Sequence, residues 1–271
     1  MAPTLPSLDV RRLRSYVFRL PLFTRTVLLF VIVFWILELQ KVWNVVQWGA
    51  LIPKEVNLGT MYRLNTYPLI HRNFLHALFN TLALIPLLER FEAEHGTLLS
   101  GAMFAGPLST LPAAAYLLVE RGILRQNTAL LGASIWVFVL LGVEGIKAYK
   151  ANPHFAISTY RIPTWTTPLV ILLFTTALIP NTSLLGHLGS VGVGYLYGLG
   201  YLKILAPPEK VLRWIEGKLN LLGRLPHYVS IDQKTYGRYG VLPTTSNPSL
   251  SAGGEGSVQM PYIGSGQRLG P

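Results

Sequence analysis

The chain has 271 residues, is 51% hydrophobic but only 13% charged, and has a mean hydropathy of +0.41. Soluble domains carry about 25% charged residues, so this composition argues against a water-soluble globule; the absence of cysteine excludes disulfides and thiolate metal sites. The net charge of +11 would suit nucleic acid, but in so apolar a chain it fits basic loops facing an anionic lipid leaflet better, and no nucleic-acid partner is expected.

In chain order, Arg11, Arg12, Arg14 and Arg19 precede an apolar run at about 22–39. No small-residue cleavage site follows it, so it reads as a retained signal-anchor. Residues 40–71 read as a long loop with the interface anchors Trp43, Trp48 and Tyr62. Further apolar runs lie at about 73–88, 97–119, 129–146, 166–180 and 184–206. A helix crosses bilayer hydrocarbon with about 20 apolar residues. The second and fifth runs are short for that and contain or border Pro86, Pro168 and Pro180. Six transmembrane helices in an all-α membrane protein is the expected fold.

The basic residues set the orientation. With the N-terminus in the cytosol, seventeen of the Lys and Arg residues fall on that side and six on the other, which places both termini in the cytosol. Spans two, four and six then run inward, so their N-terminal ends share one side and one depth.

Polar residues collect at those three ends. The second span opens His71-Arg72-Asn73-Phe74-Leu75-His76-Ala77-Leu78-Phe79-Asn80, the fourth carries Gly132-Ala133-Ser134-Ile135, and the sixth opens Gly186-His187-Leu188-Gly189-Ser190. Ionisable groups within spans are costly and usually functional. Ser134 as nucleophile and His187 as general base would meet about one turn below the surface. His76 and Asn80, spaced i and i+4, project from one helix face. With the Ser134 amide they would hold an oxyanion, while Gly132 permits close approach. Taken one at a time, a G-x-S triplet suits helix packing, a histidine suits an interface, and Asn80 suits a bridge between helices. His71 and His95 read as loop residues near charges, without a role. Gly186, Ser190, Gly194 and Gly198 recur every four residues, a small-residue seam that would draw the sixth span against the fourth.

The set resembles the rhomboid intramembrane serine proteases: His76-x-x-x-Asn80, Gly132-x-Ser134-Ile135 and His187 match the family pattern over about residues 20–206. Tyr62-Arg63 looks like the Trp-Arg pair of the family's first loop. Ile135 stands where many members have glycine. The resemblance implies that Phe138 stacks on His187, that no cofactor or metal takes part, and that the substrates are single-span membrane proteins with small residues at the cut. It also makes the fifth span, Thr166–Pro180, a lateral gate. Within the family, the basic tail looks closest to the fungal rhomboid-type serine protease 2 group, which implies a Golgi or endoplasmic reticulum membrane.

Four segments result: a basic cytosolic N-terminus at 1–20, the six-span rhomboid bundle at 21–206, an amphipathic helix at 207–226 and a disordered cytosolic tail at 227–271. In the third, Pro207-Pro208-Glu209 starts a helix, and Val211, Leu212, Ile215, Leu219 and Leu222 follow helical spacing among Lys and Arg. Near the end of the tail, Tyr262, Gly264, Gly266 and Leu269 resemble the SHP box, a peptide that binds the valosin-containing hexameric AAA ATPase. The expected function is intramembrane proteolysis through a Ser–His dyad. The alternatives are a non-proteolytic, derlin-type rhomboid-like adaptor handing membrane clients to that ATPase, and a structural or transport protein with polar span ends.

Overall fold

A computed structural model describes residues 10–157, 159–179 and 182–234. In chain order, helix α1 (Val10–Arg19) precedes the apolar α2 (Leu22–Glu38). The expected first loop is built of short helical turns, among them α3 (Val45–Gly49) and α4 (Arg63–Thr66). Asn44 caps α3 through its side chain, and Trp48 stacks on Tyr62 with ring centres 5.1 Å apart.

Helix α5 (Phe74–His95) is longer than the apolar run predicted, because Glu89, Arg90, Glu92 and Glu94 continue it past Pro86. The third run is divided at Gly106 into α6 (Thr97–Ala105) and α7 (Pro107–Leu117), and it ends in a wider π turn over Leu118–Ile123. Among the described residues, Phe74–His95 and Thr97–Ile123 are long and apolar enough to cross a membrane. The fourth run begins as an extended segment, where Leu130 exchanges backbone hydrogen bonds with Leu51 at 2.9 Å in each direction. Only from Ser134 is it helical, as α8 (Ser134–Ala151).

A two-stranded hairpin, β1 (His154–Ile157) and β2 (Tyr160–Pro163), leads to α9 (Thr167–Leu178), which is followed by α10 (Leu184–Leu199), α11 (Glu209–Leu219) and α12 (Leu221–Arg224). Periodicity did not predict the hairpin.

Helix α8 is the axis of the bundle. Ile135, Trp136, Val137, Phe138, Val139 and Leu140 are all buried, so it is covered on every side. The glycine seam explains how α10 comes so close. A Cβ at Gly194 would lie 2.1 Å from the Val139 carbonyl oxygen, and one at Gly142 would lie 2.7 Å from that of Val191. The two backbones touch, and only glycine fits on either side.

Two expectations for the C-terminal part change. Helix α11 buries Leu212, while Val211, Trp214 and Leu219 stay exposed, so its apolar residues serve two faces. Residues 228–234 are folded against the bundle, with Tyr228, Ser230 and Ile231 buried. Tyr262, Gly264, Gly266 and Leu269 lie outside the described residues.

Candidate active site

The first turns of α8 and α10 place their polar residues side by side. Ser183 caps α10, accepting the Gly186 N–H at 3.1 Å through Oγ and the His187 N–H at 3.0 Å through its carbonyl. This starts the helix so that His187 enters its first turn, facing α8. Ser134 Oγ and His187 Nε2 are 2.9 Å apart. His187 is only 3% exposed, and its Nδ1 finds no partner among the described residues. With Nε2 accepting the hydrogen bond from the serine hydroxyl, the imidazole proton resides on Nδ1, and no carboxylate among the described residues orients it. The Phe138 ring instead lies 4.4 Å from the imidazole, tilted by 32°.

The wall opposite is made by α5 and the segment before Ser134. Gly132 has φ +111, and a Cβ there would meet His76 Nε2 at 2.8 Å and Asn80 Nδ2 at 3.1 Å. Both donors therefore converge on the Gly132 backbone, two residues before Ser134, at a point that excludes any side chain. Asn80 Nδ2 is buried without a hydrogen-bond partner among the described residues. A buried, unpaired donor costs about 1–3 kcal/mol, and an arriving acceptor would recover that. Ser134 is the first helical residue, so its own N–H has no intrahelical acceptor.

Phe138 thus lies against His187, while His76 and Asn80 lie against Gly132, two residues before Ser134. The seam below holds α8 and α10 at the separation that closes the Ser–His contact.

A rhomboid-domain family model matches residues 58–204 of the chain. Over 269 residues the chain is 62% identical to rhomboid-type serine protease B of Aspergillus fumigatus, covering 99% of this chain and 97% of the relative. It is 58% identical to rhomboid-type serine protease 2 of Gibberella zeae, over the whole of both chains. The protein of that name from Yarrowia lipolytica is 33% identical over 58% of this chain.

This chain belongs to the rhomboid family. It falls among the rhomboid-type serine proteases, enzymes of the membrane.

In this rhomboid, two supports of the site were not legible in sequence. His71 does lie in a loop, just before α5, but it is buried, at 1% exposure, and it has a role. Its Nε2 accepts the Ala133 N–H at 3.2 Å, and its Nδ1 reaches the Leu69 carbonyl at 3.2 Å. It is therefore neutral, protonated on Nδ1, and fixes the backbone one residue before Ser134. Nothing in the run His71-Arg72-Asn73 distinguishes this from a surface histidine, because the partner is sixty residues away. His95 lies in α5 and not in a loop, buried and stacked on Phe91 at 4.2 Å.

The second support is the first loop. The Gly132 N–H donates to the Tyr67 carbonyl at 2.9 Å, and Tyr67 itself is fully buried. Arg63, from the rhomboid-like Tyr62-Arg63 pair, donates to the Ala50 carbonyl and to Glu55, both at 2.7 Å. The loop it braces carries Leu51, the partner of Leu130. The extended approach to Ser134 is thus held from both sides.

Proposed function

We propose that this rhomboid cleaves transmembrane segments of membrane proteins, with Ser134 as nucleophile and His187 as general base. The observation that carries the reading is the 2.9 Å contact between Ser134 Oγ and His187 Nε2. As Oγ attacks the scissile carbonyl carbon, its proton passes to Nε2. The carbonyl oxygen becomes an oxyanion facing the Ser134 N–H, His76 and Asn80. His187 then gives the proton to the leaving amine, and the acyl-enzyme forms. Water then attacks the acyl carbon, losing a proton to Nε2; as the Oγ–carbon bond breaks, Nε2 gives that proton to Oγ, freeing the new carboxyl group and restoring Ser134. Because no carboxylate among the described residues reaches Nδ1, the transient imidazolium relies on the Phe138 ring face for its stabilisation.

The substrate is a single-span protein that enters from the bilayer beside α9. That helix supports the role of gate: Leu172 packs on Phe138 and Val191, while Val170, Leu173, Phe174 and Leu178 are exposed. The six apolar helical segments each cross the membrane; the asymmetry of Lys and Arg supports cytosolic termini, and the resemblance to the fungal serine protease 2 group supports a Golgi or endoplasmic reticulum membrane. On that side Val211, Trp214 and Leu219 of α11 face the lipid interface. The tail residues Tyr262, Gly264, Gly266 and Leu269 offer an SHP-like peptide to the valosin-containing hexameric AAA ATPase. The adaptor reading is not favoured, since such a protein needs neither member of the dyad.

A serine-directed fluorophosphonate tests the nucleophile directly in detergent-solubilised protein. Labelling is expected at Ser134 in the wild type, with none after Ser134→Ala and almost none after His187→Ala. A wild-type chain that stays unlabelled while it is folded would put the adaptor reading ahead of the protease.

The oxyanion assignment has its own expected result. His76→Ala and Asn80→Ala should each slow cleavage by about 100–1,000-fold, the usual cost of one oxyanion donor, without eliminating it. Changes below about threefold at both positions would make them helix-packing residues.

A further inference from the structure

The rhomboid match ends at residue 204, but the described chain continues beyond it to Lys234. At the end of α5 remote from His76, the chain returns after α12 and threads among the starts of two other helices. The Leu22 N–H donates to the His227 carbonyl at 3.0 Å, at the first residue of α2. The Thr97 N–H donates to the Val229 carbonyl at 2.8 Å, at the first residue of α6, and the Val229 N–H donates back to Thr97 Oγ1 at 2.9 Å.

Two carboxylates anchor this return. Glu92, fully buried on α5, accepts Thr97 Oγ1 at 2.7 Å, the Phe23 N–H at 2.8 Å and both the N–H and the hydroxyl of Thr24, at 2.7 and 2.8 Å. It thereby caps α2 and joins the Thr97–Val229 pair. Glu216 on α11 accepts the Tyr228 hydroxyl at 2.8 Å and the Ile231 N–H at 3.0 Å. Gly96, at φ +90, lets the strap lie close: a Cβ there would meet the Val229 carbonyl oxygen at 3.3 Å. Ordering a chain segment costs conformational entropy, which is recovered only where side chains are buried and backbone groups are paired. Tyr228, Ser230 and Ile231 are buried to 6%, 1% and 3% exposure, so this segment recovers it.

We infer that residues 227–234 form a clasp that locks α2, α5, α6 and α11 together, so that the folded unit extends through Lys234 and a chain ending at the family boundary is incomplete. This goes beyond the protease reading and does not depend on it. Glu92 is the keystone, because its one carboxylate holds the start of α2 and, through Thr97, the strap.

The test uses full-length protein in detergent, followed by hydrogen exchange with mass spectrometry and by thermal unfolding. In Tyr228→Ala/Ile231→Asp, peptides covering the starts of α2 and α6 should exchange at least about tenfold faster, since local opening frees their amides. The unfolding midpoint should fall by about 5 °C or more. A chain ending at Gly237 should match the wild type in both measurements. Wild-type exchange at both helix starts in the double variant would overturn the clasp. So would a chain ending at Gly237 that is as damaged as the double variant. If the double variant cannot be recovered folded while the chain ending at Gly237 can, Thr97→Val decides: faster exchange at both helix starts supports the clasp, and wild-type exchange overturns it.

Discussion

Ser134→Ala and His187→Ala should each reduce cleavage of a reconstituted transmembrane substrate to background, and the double variant should be no worse than either single one. The reason is the shared proton. Oγ is a weak nucleophile until Nε2, at 2.9 Å, takes its hydrogen, and Nε2 has nothing to deliver to the leaving amine unless it has taken it. Residues that act as one unit lose their whole contribution when one member is removed, so the free-energy losses do not add. In other serine hydrolases such losses reach about a millionfold in kcat. Ser134→Ala should keep the wild-type unfolding midpoint to within a few degrees, because Ser134 is partly exposed and its truncation leaves no large cavity. Cleavage at the wild-type rate in either single variant would end the protease mechanism proposed above.

Gly194→Ala should also cost much of the activity, although it lies two turns from His187 and touches no reacting atom. Its new methyl group would stand 2.1 Å from the Val139 carbonyl oxygen and 3.0 Å from Gly142 Cα. Both are backbone atoms of α8, which no rotamer change can relieve. Overpacking a tight contact costs about 1–3 kcal/mol, and a clash of backbone against backbone belongs at or above the top of that range. The relief available is for α10 to move away from α8, which carries His187 away from Ser134. A misplacement of about 1 Å costs roughly 100-fold in rate, so activity should fall at least that far, together with the unfolding midpoint. Gly192→Ala, on the same helix, is the control: nothing lies within 4 Å of the position its Cβ would take. There the better helix propensity of alanine should leave activity unchanged and raise stability by up to about 1 kcal/mol. Equal behaviour of the two variants would show that the seam does not set the dyad distance.

Much of this molecule is legible in its sequence. Apolar runs bounded by charge located the helices that became α2, α5, α8, α9 and α10, because a bilayer leaves a polar backbone few choices besides helix. Polar residues at the heads of three of those runs singled out His76, Asn80, Ser134 and His187, because their cost in a span is visible from residue type alone. The four-residue spacing of Gly186, Ser190, Gly194 and Gly198 marked a close helix contact for the same local reason. Tertiary structure decided the rest. His71 looked like a surface histidine until the Ala133 amide came to it, and Gly132 looked merely permissive until His76 and Asn80 filled the place of its Cβ. The strap at 227–234 is polar and rich in turns, and reads as tail. It is folded because Thr97 and Glu216, remote from it in sequence, pair its backbone. Periodicity reports how a residue relates to its own helix; it carries no information about a hydrogen bond whose donor and acceptor are brought together only by packing.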